Sequence, residues 1–371
     1  MRFPIPFALI TLFGMLWMSV ASSFAAETYV DPKDYQVFKT FIEEAGHSID
    51  EYEFTTEYEV LGLDEGYLMV KMPHRKNPRN ISRLDGRVMV DAQGRILAIE
   101  MSGGTVASLV PLEALDELIS MSIDGTDLAV VSLQNMPNLI NLALVENKIE
   151  EIQMLKGLPN LHRINLSDNK LTKIRGFDGL DNLEVIVSTR NRITTIENLG
   201  RFKNLRELTL AGSSIKKING LKGLLKLERL NLGGQPIEDL SPIGGLKALK
   251  RLLLSSVKDV DLSPISHLQK LEYLRIFNSP IESLNGVREL SNLEDLKVTE
   301  GNLIYMGDLS SLGNIKKLDF SNNPLVSMEG VGELTSLEKL VFENTDIRKI
   351  GYLEKLSGLK KLVLTGSPIE K

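Results

Sequence analysis

The 371-residue chain contains no cysteine. Disulfide-braced caps, thiolate zinc sites and a lipid-carrying N-terminal cysteine are excluded, so an exported form must hold together by packing alone. Aromatics make up only 6% of the residues, and histidine occurs four times, at His47, His74, His162 and His267. His47 follows "EEAG", which is neither an HExxH helix nor a metal-ligand spacing, and no GxSxG, P-loop or glycine-rich dinucleotide fingerprint occurs. The glycines sit in turn contexts such as "KGL", "DGL" and "GGL". Catalysis therefore has few candidates; no catalytic, cofactor-binding or metal-ligating residue is assigned, and a non-enzymatic protein is expected. The net charge of −6 argues against nucleic acid as a partner, because phosphate recognition wants a basic face.

Long apolar runs are missing too, with one exception. Phe7 to Val20 is apolar, Arg2 precedes it, and "SFA" before Ala26 offers small residues for cleavage after Ala25. The run is short for a spanning helix. Residues 1–25 are read as a signal peptide, and no stable membrane insertion is expected after its removal.

What the chain has in quantity is a repeated pattern. In "NLHRINLSDNKLTKIRGF" (160–177), Leu161, Ile164, Leu166, Asn169, Leu171 and Ile174 lie at offsets 0, +3, +5, +8, +10 and +13. Neither the helical period nor simple strand alternation fits. The leading leucine recurs every 22 residues at Leu183, Leu205, Leu227, Leu249, Leu271, Leu293, Ile315, Leu337 and Leu359. Going backwards, Leu139 is 22 earlier, Leu118 is 21 before that, and Ile96 another 22, which makes thirteen starts. The one shortened step is placed between Val131 and Leu133.

Pleat and burial explain the spacing. The +3 and +5 residues face inward from a short strand while +2, +4 and +6 face out. Inward residues stack on their counterparts in the next repeat and build a continuous core. At +8, inside the turn, an asparagine can satisfy backbone carbonyls that the turn leaves unpaired. Only Asn147, Asn169, Asn191 and Asn323 keep it; Gln235, Val257, Ser279 and others replace it elsewhere. Ser188 in an inward slot and Asp259 in an apolar slot mark places of strain, function or drift. Pro236, Pro280, Pro324 and Pro368, each 44 apart, hint at a two-repeat duplication unit.

These residues resemble the 22-residue class of leucine-rich repeats found in bacterial internalins, most closely at "IEDLSPIGGLKAL" (237–249) and "VDLSPISHLQKL" (260–271). The resemblance covers about three quarters of the chain. It implies an α/β repeat solenoid: a right-handed leucine-rich-repeat horseshoe with a parallel β-sheet on its concave face. At about 4.8 Å per strand, thirteen strands would span an arc on the order of 60 Å.

Repeat stacks need caps. "RVMVDAQGRILAIEM" (87–101) reads as a hairpin turning at 91–94, with residues 87–95 as a capping strand and Val88 and Val90 antiparallel to the first repeat strand. Residues 26–86 read as a small α+β unit. It has a helix from Asp31 and Pro32 to a stop at Gly46, then a hairpin turning at 64–66 and the basic stretch "HRKNPRN" (74–80), read as a solvated loop. Residues 96–371 hold about thirteen repeats, the last incomplete. That end is protected by charge, pairs with a partner, or is continued beyond the given sequence.

Recognition is expected on the outward concave positions. Ala211, Gly212, Gly233, Gly234, Ser255 and Ser256 suggest a shallow floor, with Arg229, Arg251, Tyr273, Arg275 and Phe277 beside it and Arg190 and Arg163 further along. Tyrosine and arginine are enriched at binding hot spots. The expected function is an exported, non-enzymatic protein that binds a protein ligand on this face, in the periplasm or outside a bacterial cell. Animal and plant relatives of the repeat class carry cysteine-paired caps, which this chain lacks. It also lacks the LPxTG motif of the internalins. The alternatives are an envelope-organising protein that oligomerises through its C-terminal edge, and a cell-wall glycan binder.

Overall fold

The computed structural model describes residues 30–46, 55–56, 68–71, 85–91, 93–258 and 261–370. The signal segment, the 64–66 turn, the 74–80 stretch, His47, His74 and the Asp259–Val260 pair lie outside the described residues.

The helix Pro32–Glu44 forms where the caps direct. Asp31 accepts the Lys33 N–H at 2.9 Å, Pro32 occupies the first turn, and Gly46 ends the run at φ +79°. Phe38, Phe41 and Ile42 share one face and are buried against the start of the repeats. Burial of each such side chain is worth about 1.5–3 kcal/mol.

One 16-stranded sheet runs through the described residues. Its first three strands, Thr55–Thr56, Leu68–Lys71 and Asp85–Val90, are antiparallel, and Val88 and Val90 lie opposite Ile99 and Ile96. The N-terminal strands thus continue the repeat sheet instead of forming a sheet of their own. The remaining thirteen strands, from Ile96–Ser102 to Lys361–Val363, are parallel and follow one another in chain order. Ile164, Ile186, Leu208 and Leu230 lie side by side, so each start advances the chain by one strand. The molecule is a parallel-strand solenoid.

The chain returns on the far side through short 3₁₀ turns such as Ser241–Gly245 and Ser263–His267, and through one pair of strands, Val130–Gln134 and Glu151–Lys156. The shortened step shows in that pair. Val131 lies opposite Ile152 but Ser132 opposite Met154, so the register slips by one residue between Val131 and Ser132. A bulge on the longer strand absorbs the difference, and the concave strands stay aligned.

Each layer of core matches the spacing. Leu161, Ile164, Leu166 and Leu171 are at most 2% exposed, and Ile174 closes the layer half-buried. Asn169 donates to the carbonyls of Leu144 (2.7 Å), Leu166 (3.1 Å) and Ser167 (3.1 Å), and accepts the Ile149 N–H at 3.0 Å. It therefore ties two repeats together as well as closing a turn. Fully buried Gln235 does the same: its amide donates to Leu210 O at 2.6 Å and accepts the Ile215 N–H at 2.8 Å. Ser188 is satisfied as well, taking a hydrogen bond from Asn191 Nδ2 at 3.0 Å. Neither residue is a point of strain.

The strain sits one position earlier. The residue at +7 has positive φ in every repeat, from Gly103 and Gly125 through Glu146, Asp168, Arg190, Gly212, Gly234, Ser256, Asn278, Glu300, Asn322 and Asn344 to Gly366. Here the chain leaves the strand through a left-handed turn. Glycine and asparagine tolerate this, but glutamate and arginine do so at a cost of about 1–2 kcal/mol.

Candidate protein-binding face

The outward residues of the sheet form rows running across the strands, because parallel register puts equal offsets side by side. In the +2 row, Glu207, Arg229, Arg251, Tyr273 and Asp295 are consecutive neighbours. In the +4 row they are Thr209, Asn231, Leu253, Arg275 and Lys297. Three of the middle strands are five residues long, at Arg251–Ser255, Tyr273–Phe277 and Asp295–Thr299. Phe277 therefore still points from the sheet, beside Ser255 and Thr299.

Five of the residues marked by sequence come together here. Arg251 stacks its guanidinium 4.3 Å above the Tyr273 ring, an arrangement worth about 0.5–1 kcal/mol at an exposed site. Lys297 sits 5.6 Å from the Phe277 ring centre. Arg229 is engaged by Glu207 at 2.8 Å, and Arg275 approaches Asp295 at 3.5 Å. Among the described residues, no carboxylate lies within ion-pair distance of Arg251. The residue is exposed.

A hollow of about 340 Å³ opens between these side chains, lined by Glu207, Arg229, Asn231, Arg251, Leu253 and Arg275 among others. None of the small residues expected as a floor lines this hollow, and two of them answer a backbone requirement. Gly212 and Gly234 occupy the left-handed turn, at φ +68° and +70°. A Cβ on Gly233 would lie 2.9 Å from Leu253 Cδ2, so Leu253 covers that glycine and forms the apolar side of the hollow.

Arg163 and Arg190 stand apart. Three strand steps separate Arg163 from Arg229, about 14 Å along the sheet. Arg190 leaves the sheet in the left-handed turn and holds Asp168 with two nitrogens, Nη2 at 2.6 Å from Oδ2; that hydrogen bond raises the guanidinium pKa above its ordinary value.

The sequence reading missed three lysines. Lys317, Lys339 and Lys361 fill the +2 row of three consecutive repeats and lie side by side. Their shared offset is legible in the sequence, but aromatic and arginine content does not point to it. Nearby, Asp319 belongs to Lys297 at 2.8 Å. Burial pushes the Asp319 carboxyl up, but Lys297, the Ser321 hydroxyl and the Ser321 N–H together hold it below the usual range. His162 and His267 build no site: His162 Nδ1 lies 2.5 Å from Asn160 O, and His267 is exposed in a far-side turn.

A family model described as leucine-rich repeats in two copies matches residues 137–179 and 159–201. The fold is a leucine-rich-repeat solenoid. Solved structures agree. An internalin, InlF, from Listeria monocytogenes is 23% identical, covers 71% of this chain and 86% of its own, with TM-score 0.59. A leucine-rich-repeat protein of Leptospira interrogans is 21% identical over 75% of this chain and 86% of that one, with TM-score 0.62. The functional domain of Listeria InlJ is 19% identical over 75% of this chain and 55% of its own, with TM-score 0.57. At such identities the likeness is one of fold. No curated protein matches this leucine-rich-repeat chain in sequence.

Proposed function

We propose that this leucine-rich-repeat protein is an exported, non-enzymatic recognition protein that binds another protein on its concave face. The observation that carries the reading is Arg251, stacked on Tyr273 and without an ion-pair partner among the described residues, beside a hollow whose apolar side is Leu253. Arginine and tyrosine in one partly desolvated cluster are the residue types that dominate interface energies. Arg229, Arg275 and Phe277 complete the central contact, with Arg163 and Arg190 touching the partner's margins.

Export rests on the apolar N-terminal run and its small-residue site. Among the described residues no helix is long and apolar enough to cross a membrane. N-terminal sequencing of the protein purified from an envelope or culture fraction should begin at Ala26. The bacterial setting is supported by the Listeria and Leptospira proteins to which the fold is similar. The binding reading is tested by capture from such a fraction with the mature chain and with the Arg251→Ala, Tyr273→Ala double variant. The double variant should keep its circular dichroism spectrum and lose the partner; undiminished capture refutes the site.

A further inference from the structure

The chemistry of the partner follows from one row of the concave face. Along +2 stand Arg251, Tyr273, Asp295, Lys317, Lys339 and Lys361, in register on consecutive strands. The last three place like charges on adjoining strands about 4.8 Å apart, an arrangement that destabilises a sheet unless something compensates it. The carboxylates close by are already committed. Asp319 pairs with Lys297 (2.8 Å), Glu294 with Lys316 (3.1 Å), Glu338 with Lys360 (3.0 Å) and Asp295 with Arg275 (3.5 Å). A protein of net charge −6 thus presents, among the described residues, a strip of Arg251 and three lysines interrupted by Asp295; its neighbouring carboxylates already hold other cations, and only Glu338 also feels the charge of Lys317. Beside the strip, in the +4 row, lie the side chains of Leu253 and Val363, half-buried.

We infer that the concave face takes an extended acidic segment of the partner protein, laid across the strands along this strip. The inference rests on the reading of the concave face as the recognition surface. Arg251 to Lys361 is five strand steps, about 24 Å, which about seven or eight extended residues span. Carboxylates of the segment meet Arg251 at one end and the lysines at the other, while its apolar side chains cover Leu253 and the Tyr273 ring. That apolar component favours a peptide over a sulfated polysaccharide, which would leave both uncovered.

The test uses the mature full chain and three labelled probes. One is a blocked eight-residue peptide alternating glutamate and leucine, the second its glutamine counterpart, and the third a heparin octasaccharide. Fluorescence polarisation should show the glutamate peptide binding about tenfold or more tightly than the glutamine one. That preference should shrink as salt rises. Lys317→Gln with Lys339→Gln should remove most of it, and Arg251→Gln should weaken binding separately. Lys173→Gln with Lys217→Gln, on the far side of the solenoid, should change nothing. Equal binding of the two peptides, indifference to the concave substitutions, heparin binding alone, or binding of none of the probes overturns the acidic-segment inference. The capture experiment remains an independent check: a partner lost in the Arg251→Ala, Tyr273→Ala variant despite a failed peptide preference keeps the concave site and discards only the acidic partner.

Discussion

Replacing Asn169 with alanine removes four hydrogen bonds, but their loss is not uniform. Leu166 O still accepts from Asn191 Nδ2 at 2.8 Å, and Ser167 O from the Glu146 N–H at 3.0 Å. The Leu144 carbonyl and the Ile149 N–H, bonded to Asn169 at 2.7 and 3.0 Å, lose their side-chain partner inside the core. Each unsatisfied buried group costs about 1–3 kcal/mol, so the variant should lose about 4 kcal/mol. Serine should cost nearly as much. At the same slot Ser279 accepts the Val257 N–H (3.3 Å) and donates to Phe277 O (2.8 Å); around Asn169 the groups at those offsets belong to Asn147 and Ser167, so a serine leaves the Ile149 donor and the Leu144 carbonyl unpaired. Because repeat arrays need not unfold in one step, the assay should be local as well as global. Urea denaturation followed by circular dichroism gives the overall loss, and amide exchange at Ile149 reports the orphaned donor. A loss below 1 kcal/mol with Ile149 still protected would show that the asparagine ladder does not hold neighbouring repeats together.

Other outcomes follow from the same structure. Glu300 adopts φ +57° and is exposed, so Glu300→Asn should raise stability by about 0.5–1 kcal/mol, read as a higher urea midpoint. A Cβ on Gly286 would drive into the Leu262 carbonyl, whereas one on Gly245 would meet nothing within 4 Å; Gly286→Ala should destabilise by about 1–3 kcal/mol and Gly245→Ala hardly at all. Asp34 is 7% exposed and accepts the Ile96 N–H at 2.7 Å; burial raises its carboxyl pKa more than that hydrogen bond lowers it. The folded state therefore binds this proton more tightly than the unfolded one. The contribution of Asp34 to stability improves as pH falls from above its raised pKa toward the usual carboxylate range, and is lost again as pH rises. Asp34→Asn should flatten that dependence in urea midpoints taken at several pH values. Asp34→Ala should instead cost about 1–3 kcal/mol by orphaning the Ile96 donor.

The repeat and its layers were legible because burial imposes a strict period. Leu161, Ile164 and Leu166 face inward at the offsets their spacing implies, and Asn169 bonds the carbonyls expected of it. Even the missing residue near Val131 could be placed, since only the far side tolerates a slip in register. The left-handed +7 turn was not legible. Glu146, Arg190 and Glu300 disfavour that conformation, and the neighbouring repeats impose it regardless. Gln235 departs from the asparagine rule, yet its longer side chain reaches the same backbone groups as asparagine. At the candidate site, residue types suggested the Arg251 and Tyr273 neighbourhood. The partnering of Arg229 by Glu207 needed the lateral register, which turns two residues 22 apart into neighbours. The lysine row is read by the same rule, and it adds three adjoining cations to the face.

The central claim is that the concave face around Leu253 meets the partner. A photo-crosslinking amino acid placed at Leu253, and in a separate variant at Lys173 on the far side, tests it most directly in the native envelope fraction. The account predicts a discrete protein adduct from position 253, diminished by the acidic peptide, and none from position 173. An adduct formed at 173 and not at 253 would contradict it.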